Sequence, residues 1–435
     1  MKTISEVSNN MIPVSSLQNN RKKLSDLLCD NAIAFLHAND IMPGNGDGTL
    51  PYRANSDIYW LTGIAQEETA LILFPNHPVP TMREILFVKH VDEHFVKWHG
   101  KRLSLEEART ISGIENVYWS ADFEKIFSSS ANYASAIYLN VIEHPRSENV
   151  VETRNDRFNN WCKQHYPLHP YERIAPLMAS LRTPKSEEEI ALMQTACNIS
   201  EQGFRRILKY IKPGVKEKKI VAELIHEYMQ HDGEWAHYEP IVASGENSCI
   251  LHYITNHNTC RDGDILLIDA AASYQLYNAD LTRTIPVNGR YTPRQKEVYN
   301  AVQKVHNAIK QFAKAGKLMG EIQAYSNELI IEQLVGLKLF NMSELKQKGE
   351  KHFLNEYNYH GFGHFLGLDL HDVGHADQPL PSNAIITVEP GIYIRREHIG
   401  VRIENNVVIK EHGTIDLMAN IPIEADEIES LMAGN

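Results

Sequence analysis

The sequence predicts two domains: an α/β domain, then an α+β domain with a pseudo-twofold internal duplication. Three observations carry this. At 435 residues the chain is too long for one small core. Up to about residue 170, short apolar runs alternate with helical stretches. Beyond Ser186 an order of helices, a Gly/His block and an acid-bearing β-hairpin occurs twice.

In the first domain a charged helical stretch around 21–29 leads into AIAFLHA (32–38), an apolar run of strand length. TALILF (69–74), REILFV (83–88) and AIYLNV (136–141) are further strands, and SLEEARTIS (104–112) is a helix between them. The texture changes near Tyr171, where a Pro-interrupted stretch precedes Ser186 and three glutamates, an N-cap followed by acids that favour the helix dipole. These signals predict domains at 1–170 and 186–435, with a connector at 171–185. In the second domain helices are expected over 186–231 and again over 294–347. SGENSCILH (244–252) precedes Asp269 at nearly the interval that separates GHFLGLDLH (363–371) from Glu389.

A formal net charge of -12 argues against a nucleic-acid binder, because nothing offsets phosphate repulsion over a large surface. Basic clusters such as Lys216 to Lys219 read as solvated helix faces. The polar N-terminus lacks a signal-peptide core, and no apolar run has the length of a membrane span. Cys29, Cys162, Cys197, Cys249 and Cys260 show no CxxC spacing and read as reduced structural thiols of a cytoplasmic protein.

Chemistry concentrates in the two hairpins, 263–289 and 384–409. If the first is symmetric about the Tyr274–Gln275 bond, Asp269 and Asp280 face each other. If the second turns at Arg396–Glu397, Glu389 faces Glu404. Directly opposed residues place their Cβ atoms about 5 Å apart on one face. One such pair is satisfied by a shared proton or by a Lys or Arg partner. Two pairs in matching places with few basic partners call for multivalent cations, and one imidazole among the acids turns the choice toward Mn²⁺, Co²⁺ or Zn²⁺.

The ordered set SGENSCILHY, LLIDAAASYQLYNADLTRT, HGFGHFLGLDLHDVG, ITVEPGIYI and GVRIEN resembles the proline-specific metallopeptidases of the pita-bread fold, above all aminopeptidase P. PYRANSDIYWLTGI (51–64) and KWHGKRL (97–103) resemble that family's creatinase-like N-terminal domain more faintly. The resemblance implies an aminopeptidase that releases the N-terminal residue from peptides with proline second, by a metal-bridging hydroxide. It implies two divalent ions, Mn²⁺ first, with Zn²⁺ or Co²⁺ as alternatives. Asp269 matches a terminal ligand, Asp280 and Glu404 the bridging acids, and His364 and Glu389 the ligands of the second ion. Glu389 also matches the general base. His252 and His371 match histidines near the scissile bond, His360 a substrate contact on the leaving-group side, and Arg402 a residue that orients the acids, with Tyr393 in the same network. A homo-oligomer, dimer or tetramer, is implied too, with Trp98 matching an aromatic that reaches a neighbouring subunit.

Three other readings compete: a prolidase confined to X-Pro dipeptides, a metal-free pita-bread binding module, and a metal-free creatinase-like amidinohydrolase. The filled ligand set weighs against the last two. Ala271 stands where a glycine is common in the family, the glycine-rich GFGH leans slightly toward prolidase, and the short link between Glu389 and Glu404 trims the pocket rim. In HGFGHFLGLDLHDVGH (360–375), Gly361 and Gly363 argue against a helix carrying an HxxxH metal pair. His375 reads as a surface histidine, and Asp369 and Asp372 as residues that orient neighbours.

Overall fold

The computed structural model describes residues 12–144, 146–147, 150–236 and 238–433. Most of the N-terminal segment read for a leader lies outside the described residues. The chain divides into two compact units, Met1–Arg182 and Thr183–Asn435.

The first unit is built on a six-stranded mixed sheet. Its strands are β1 (Ala32–His37), β2 (Ala70–Leu73), β3 (Glu84–Val88), β4 (Val117–Trp119), β5 (Ala136–Leu139) and β6 (Tyr171–Arg173), in the order β4-β3-β2-β1-β5-β6. On one face Ile33, Phe35, Ile72, Ile85 and Phe87 pack with Phe127 and against Phe158 and Trp161. Ala34, Leu36, Leu71 and Leu86 are buried as well, so both faces are covered and the central strands read as continuous apolar runs. The four expected strands are these central ones. β4 and β6 escaped the sequence reading because three-residue, half-exposed edge strands carry no periodicity.

Two expectations are corrected here. The helix placed at 21–29 runs from Val14 to Leu27 and ends before Cys29. The connector placed at 171–185 does not begin at Tyr171: β6 and the helix Ala175–Arg182 occupy its first part and belong to the first unit. Arg182 is buried and donates to Asp57 at 2.7 Å, an anchor that a Pro-interrupted stretch of sequence does not announce.

The second unit repeats one plan. The helix Glu187–Tyr210 starts at a capping box in which Ser186 Oγ accepts from the Glu189 N–H (3.2 Å) and Glu189 returns to the Ser186 N–H (2.9 Å). With the helix Glu217–Gln230 it precedes β7 (Glu234–Trp235), β8 (Ile241–Ser244), β9 (Ile265–Asp269), β10 (Ala272–Tyr274), β11 (Tyr277–Asn278) and β12 (Thr282–Pro286). β8, β9 and β12 form one antiparallel sheet, and β7, β10 and β11 a smaller one. The helices Pro293–Phe312 and Met319–Gly336 open the second half. It continues with β13 (Ile385–Val388), β14 (Gly391–Ile394), β15 (Ile399–Arg402), β16 (Asn405–Lys410) and β17 (Gly413–Asp416). Phe365 bridges to Ile386 of β13 and so occupies the place that β8 takes beside β9.

The first hairpin is not symmetric about Tyr274–Gln275. Gln275 and Leu276 both have positive φ (51° and 65°), as a two-residue type I′ turn requires, so the turn centre moves one residue along. Asp269 therefore pairs with Thr282, not Asp280. Moving the centre by one residue shifts a cross-strand partner by two, which preserves the face. The second hairpin keeps the expected register: Ile394 pairs with Ile399, Gly391 with Arg402 and Val388 with Asn405.

His37 in β1 and His306 in the helix Pro293–Phe312 are buried imidazoles far from the acids in sequence. Burial, reinforced by Arg154, holds His37 down at about 3; burial alone dominates the lowering at His306. Unfolded histidine takes up its proton near pH 6.5. Below that pH the unfolded chain binds protons that the folded chain refuses, so stability falls as pH falls. For His37 the contribution is complete above pH 6.5 and is lost progressively toward pH 3. The loss reaches about 2 kcal/mol by pH 5. Urea denaturation at pH 7.5 and pH 5 checks this: His37→Phe should remove about that much of the acid sensitivity.

Candidate metal centre

Each of the four acids stands where its hairpin leaves one sheet for another. Asp269 ends β9, Asp280 lies between β11 and β12, Glu389 between β13 and β14, and Glu404 between β15 and β16. A broken ladder leaves backbone groups that need partners. Here those partners tie the two halves together. The Asp280 N–H donates to Asn406 Oδ1 (3.0 Å), and Asn406 Nδ2 donates back to the Asp280 carbonyl (2.7 Å). The Glu404 N–H donates to the Thr282 carbonyl at 3.0 Å.

His364 reaches the acids from a loop pressed against β13. Its N–H donates to Thr387 Oγ1 (3.0 Å), and its carbonyl accepts from the Thr387 N–H (2.9 Å). The approach requires glycine at 363, where a Cβ would lie 2.1 Å from the Thr387 carbonyl oxygen. No helix forms over 360–375, as the two glycines implied. His364 Nδ1 lies 2.8 Å from the Phe365 carbonyl, which can only accept, so Nδ1 carries the proton and the Nε2 lone pair faces the acids.

Asp280, His364 and Glu404 each offer a ligand atom, and the three atoms lie within 4.8 Å of one another. His364 Nε2 is 3.4 Å from Asp280 Oδ2 and 3.6 Å from Glu389 Oε1. These gaps are long for direct ion pairs. They match two ligands about 2.0–2.2 Å from a shared cation, which stand about 3–3.5 Å apart. Asp269 is drawn to Arg402 instead, whose Nη2 donates to its Oδ2 at 2.6 Å.

The remaining expected residues fall in two groups. Arg402 Nη1 donates to Tyr393 Oη (2.9 Å), and Tyr393 Oη lies 2.7 Å from His360 Nε2. His360 Nδ1 is 2.8 Å from the Gly361 carbonyl, so it carries the proton and Nε2 accepts from the tyrosine. The imidazole of His371 packs edge-on to His364 with ring centroids 4.3 Å apart. His252 is exposed on the turn after Cys249, flanked by Leu251 and Tyr253, which pack toward Tyr393. His375 is half-buried.

Comparison with known proteins comes to the same place. Residues 191–411, just over half of the chain, match metallopeptidase family M24. The chain belongs to this family. Residues 17–138 match the N-terminal domain of aminopeptidase P. A Xaa-Pro aminopeptidase of Haemophilus influenzae is 30% identical over 433 residues, covering 97% of this chain and 98% of that protein. The aminopeptidase PepP of Pseudomonas aeruginosa superposes with a TM-score of 0.88 at 30% identity, covering 98% and 99% of the two chains. A zinc-substituted aminopeptidase P of Escherichia coli, solved with product, superposes with a TM-score of 0.88 at 29% identity, covering 98% of this chain and 99% of that one.

The M24 unit also holds groups that sequence reasoning missed. Tyr238 Oη lies 2.7 Å from Asp269 Oδ1 and 3.1 Å from Asp280 Oδ1, bridging the two acids of the first hairpin. Thr282 donates to Glu404 Oε2 at 2.6 Å and receives Arg402 Nε at 3.2 Å. The lysines from 216 to 219 are exposed as expected, but Glu217 between them is fully buried. It accepts from Ser244 Oγ (2.7 Å) and from the Ser244 N–H, Tyr253 Oη and Asn258 N–H (2.9 Å each), which fixes the chain on both sides of His252. Thr282 lay inside a quoted motif, as the residue two positions after Asp280. Tyr238 and Glu217 had no local signal, since their roles arise from segments brought together by the fold.

The electrostatics of these M24 acids fit a cation. Burial, then the nearby Asp280, pushes Glu404 far above the ordinary carboxylate range. Burial raises Glu389 to about 7 against the opposing pull of His364 and Arg402. Burial likewise raises Asp269 despite Arg402. Glu404 Oε1 is buried with no hydrogen-bond partner among the described residues. Acids that protein groups leave this short of positive charge are a fitting cradle for divalent ions.

Proposed function

We propose that the chain is a metal-dependent Xaa-Pro aminopeptidase that releases the N-terminal residue of peptides with proline in second position. The observation that carries this reading is the Asp280, His364 and Glu404 cluster in a fold matched end to end by aminopeptidase P structures. Two divalent ions, Mn²⁺ first, would be held by Asp269, Asp280, His364, Glu389 and Glu404. Such ions, when bound, acidify a water and polarise a carbonyl.

The protein's own groups then have distinct tasks. Glu389, beside the site where those ions would bind, would take the proton of the attacking water and pass it to the departing proline nitrogen. Arg402 holds Asp269 and, through Tyr393, the tautomer of His360, so that His360 faces the leaving-group side with its orientation set. His371 and His252 flank the scissile bond and steady its carbonyl and the chain beyond proline. The X-Pro bond offers no N–H and holds φ fixed, so recognition by shape is favoured over ladder hydrogen bonding.

A homo-oligomer is part of the proposal. It rests on Trp98, 74% exposed on the helix Glu93–His99, an aromatic surface that a neighbouring subunit would cover. A cytoplasmic setting is in keeping with five unpaired cysteines, four of them buried. Among the described residues no helix is long and apolar enough to cross a membrane.

The test uses purified protein and X-Pro-Y tripeptides. Release of free X is expected, lost on chelation and restored by Mn²⁺. Hydrolysis confined to X-Pro dipeptides would make the protein a prolidase, and undiminished tripeptide cleavage in a metal-free preparation would overturn the metal assignment.

A further inference from the structure

A buried ion pair outside the acid cluster has no part in the chemistry above. Lys185 Nζ donates to Asp372 Oδ2 at 2.9 Å, and both side chains are 1% exposed. Lys185 lies just inside the second unit, where its N–H donates to the Asn383 carbonyl (2.9 Å) and Pro184 bridges to Ala384. Its backbone is thereby fixed beside the start of β13. Asp372 directly follows His371, and its own N–H donates to the Phe365 carbonyl at 2.9 Å.

The loop between His364 and Asp372 is held at its middle as well. Gly367 and Leu368 carbonyls accept from Asn278 Nδ2 (3.0 Å each), and the Gly367 carbonyl also accepts from the Asn278 N–H (2.9 Å). Asn278 stands two residues before Asp280. The loop thus hangs from β11, the strand that leads into Asp280, and is pinned at its far end by Lys185. It passes so close to the pair that a Cβ at Gly367 would lie 2.2 Å from Asp372 Oδ2 and 3.0 Å from Lys185 Cε. A charge pair withdrawn from water is a weak contributor to net stability, since desolvation offsets its attraction. Its directionality, in contrast, fixes one loop conformation among several that apolar packing would tolerate.

We propose that Lys185 and Asp372 are positioning residues for His371: the pair sets where that imidazole stands against His364 and the substrate carbonyl. This rests on the reading of His371 as a substrate-side histidine. The pair touches no substrate, so its loss acts through the neighbouring residue and lowers kcat more than it raises KM. Misplacing a group by about 1 Å costs on the order of 100-fold.

The experiment is a double-mutant cycle on the Mn²⁺-loaded enzyme with an X-Pro-Y substrate. Lys185→Met with Asp372→Leu replaces the pair by apolar side chains of similar volume, a change that buried ion pairs commonly tolerate. In the otherwise native enzyme kcat should fall about 10- to 100-fold, with KM changed by less than about threefold. In a His371→Ala background the same two substitutions should change kcat by less than about twofold, because the group being positioned is gone. Asp372→Asn, isosteric and still able to accept from Lys185, is the second variant. It should show a smaller loss that also vanishes in the His371→Ala background, and it carries the test if the paired substitution does not fold. Losses of equal size in both backgrounds, or no loss in the native one, overturn the proposal while leaving the role of His371 intact. Native kcat in His371→Ala itself would overturn that role, and the proposal with it.

Discussion

Glu404→Gln should reduce X-Pro-Y hydrolysis by about 10³-fold or more and yet make the metal-free protein more stable. The two effects share one cause. Glu404 is buried beside Asp280, Glu389 and Asp269, one of its oxygens has no partner among the described residues, and its proton affinity is pushed far up by burial and by those neighbours. Without a cation, burial and the three neighbouring carboxylates oppose the charged form despite the Thr282 hydrogen bond, so a neutral amide that keeps that bond relieves the penalty. With cations the same charge is what holds them. Thermal melting with and without Mn²⁺ separates the contributions. The native protein should gain several degrees on adding metal, whereas Glu404→Gln should start higher and gain little. A variant that keeps the native metal-dependent gain would remove Glu404 from the ligand set.

Arg402→Met should be the most destabilising single change in the centre, by about 3–5 kcal/mol, and should lower kcat/KM by about 100-fold. The guanidinium is fully buried and donates to Asp269, Tyr393 and Thr282 at 2.6, 2.9 and 3.2 Å. Its removal leaves a buried carboxylate without its counter-charge and frees Tyr393, which sets the His360 tautomer. Tyr393→Phe deletes a single hydroxyl from the same chain of hydrogen bonds and should cost only about 1–2 kcal/mol. Denaturation curves of the three proteins, measured without metal, where Arg402 is the counter-charge of Asp269, give the order. Equal losses for the two variants would show that the guanidinium acts through the tyrosine alone.

Much of the site was legible because its parts are local. HGFGH, TVEPG and RIEN are contiguous, and each supplies one candidate ligand whose neighbours in sequence are its neighbours in space. The second hairpin kept its expected register because its turn centre, Arg396–Glu397, was correctly placed. In the first hairpin the turn centre was misplaced by one residue. Gln275 and Leu276 adopt left-handed conformations that neither residue type advertises, so pairing moved while the face of both acids survived.

What the chain determines by itself is the inventory: an alternating α/β half, a duplicated half, and four acids and an imidazole in order. Tertiary structure decided what those groups meet. Tyr238 reaches two acids across 31 and 42 residues of chain, and Lys185 reaches Asp372 across 187. Arg402 takes Asp269 from across 133. Side chains with no periodicity or motif of their own acquire such partners only when the strands that carry the acids break from one sheet into another. The two halves then close their unpaired backbone groups against each other.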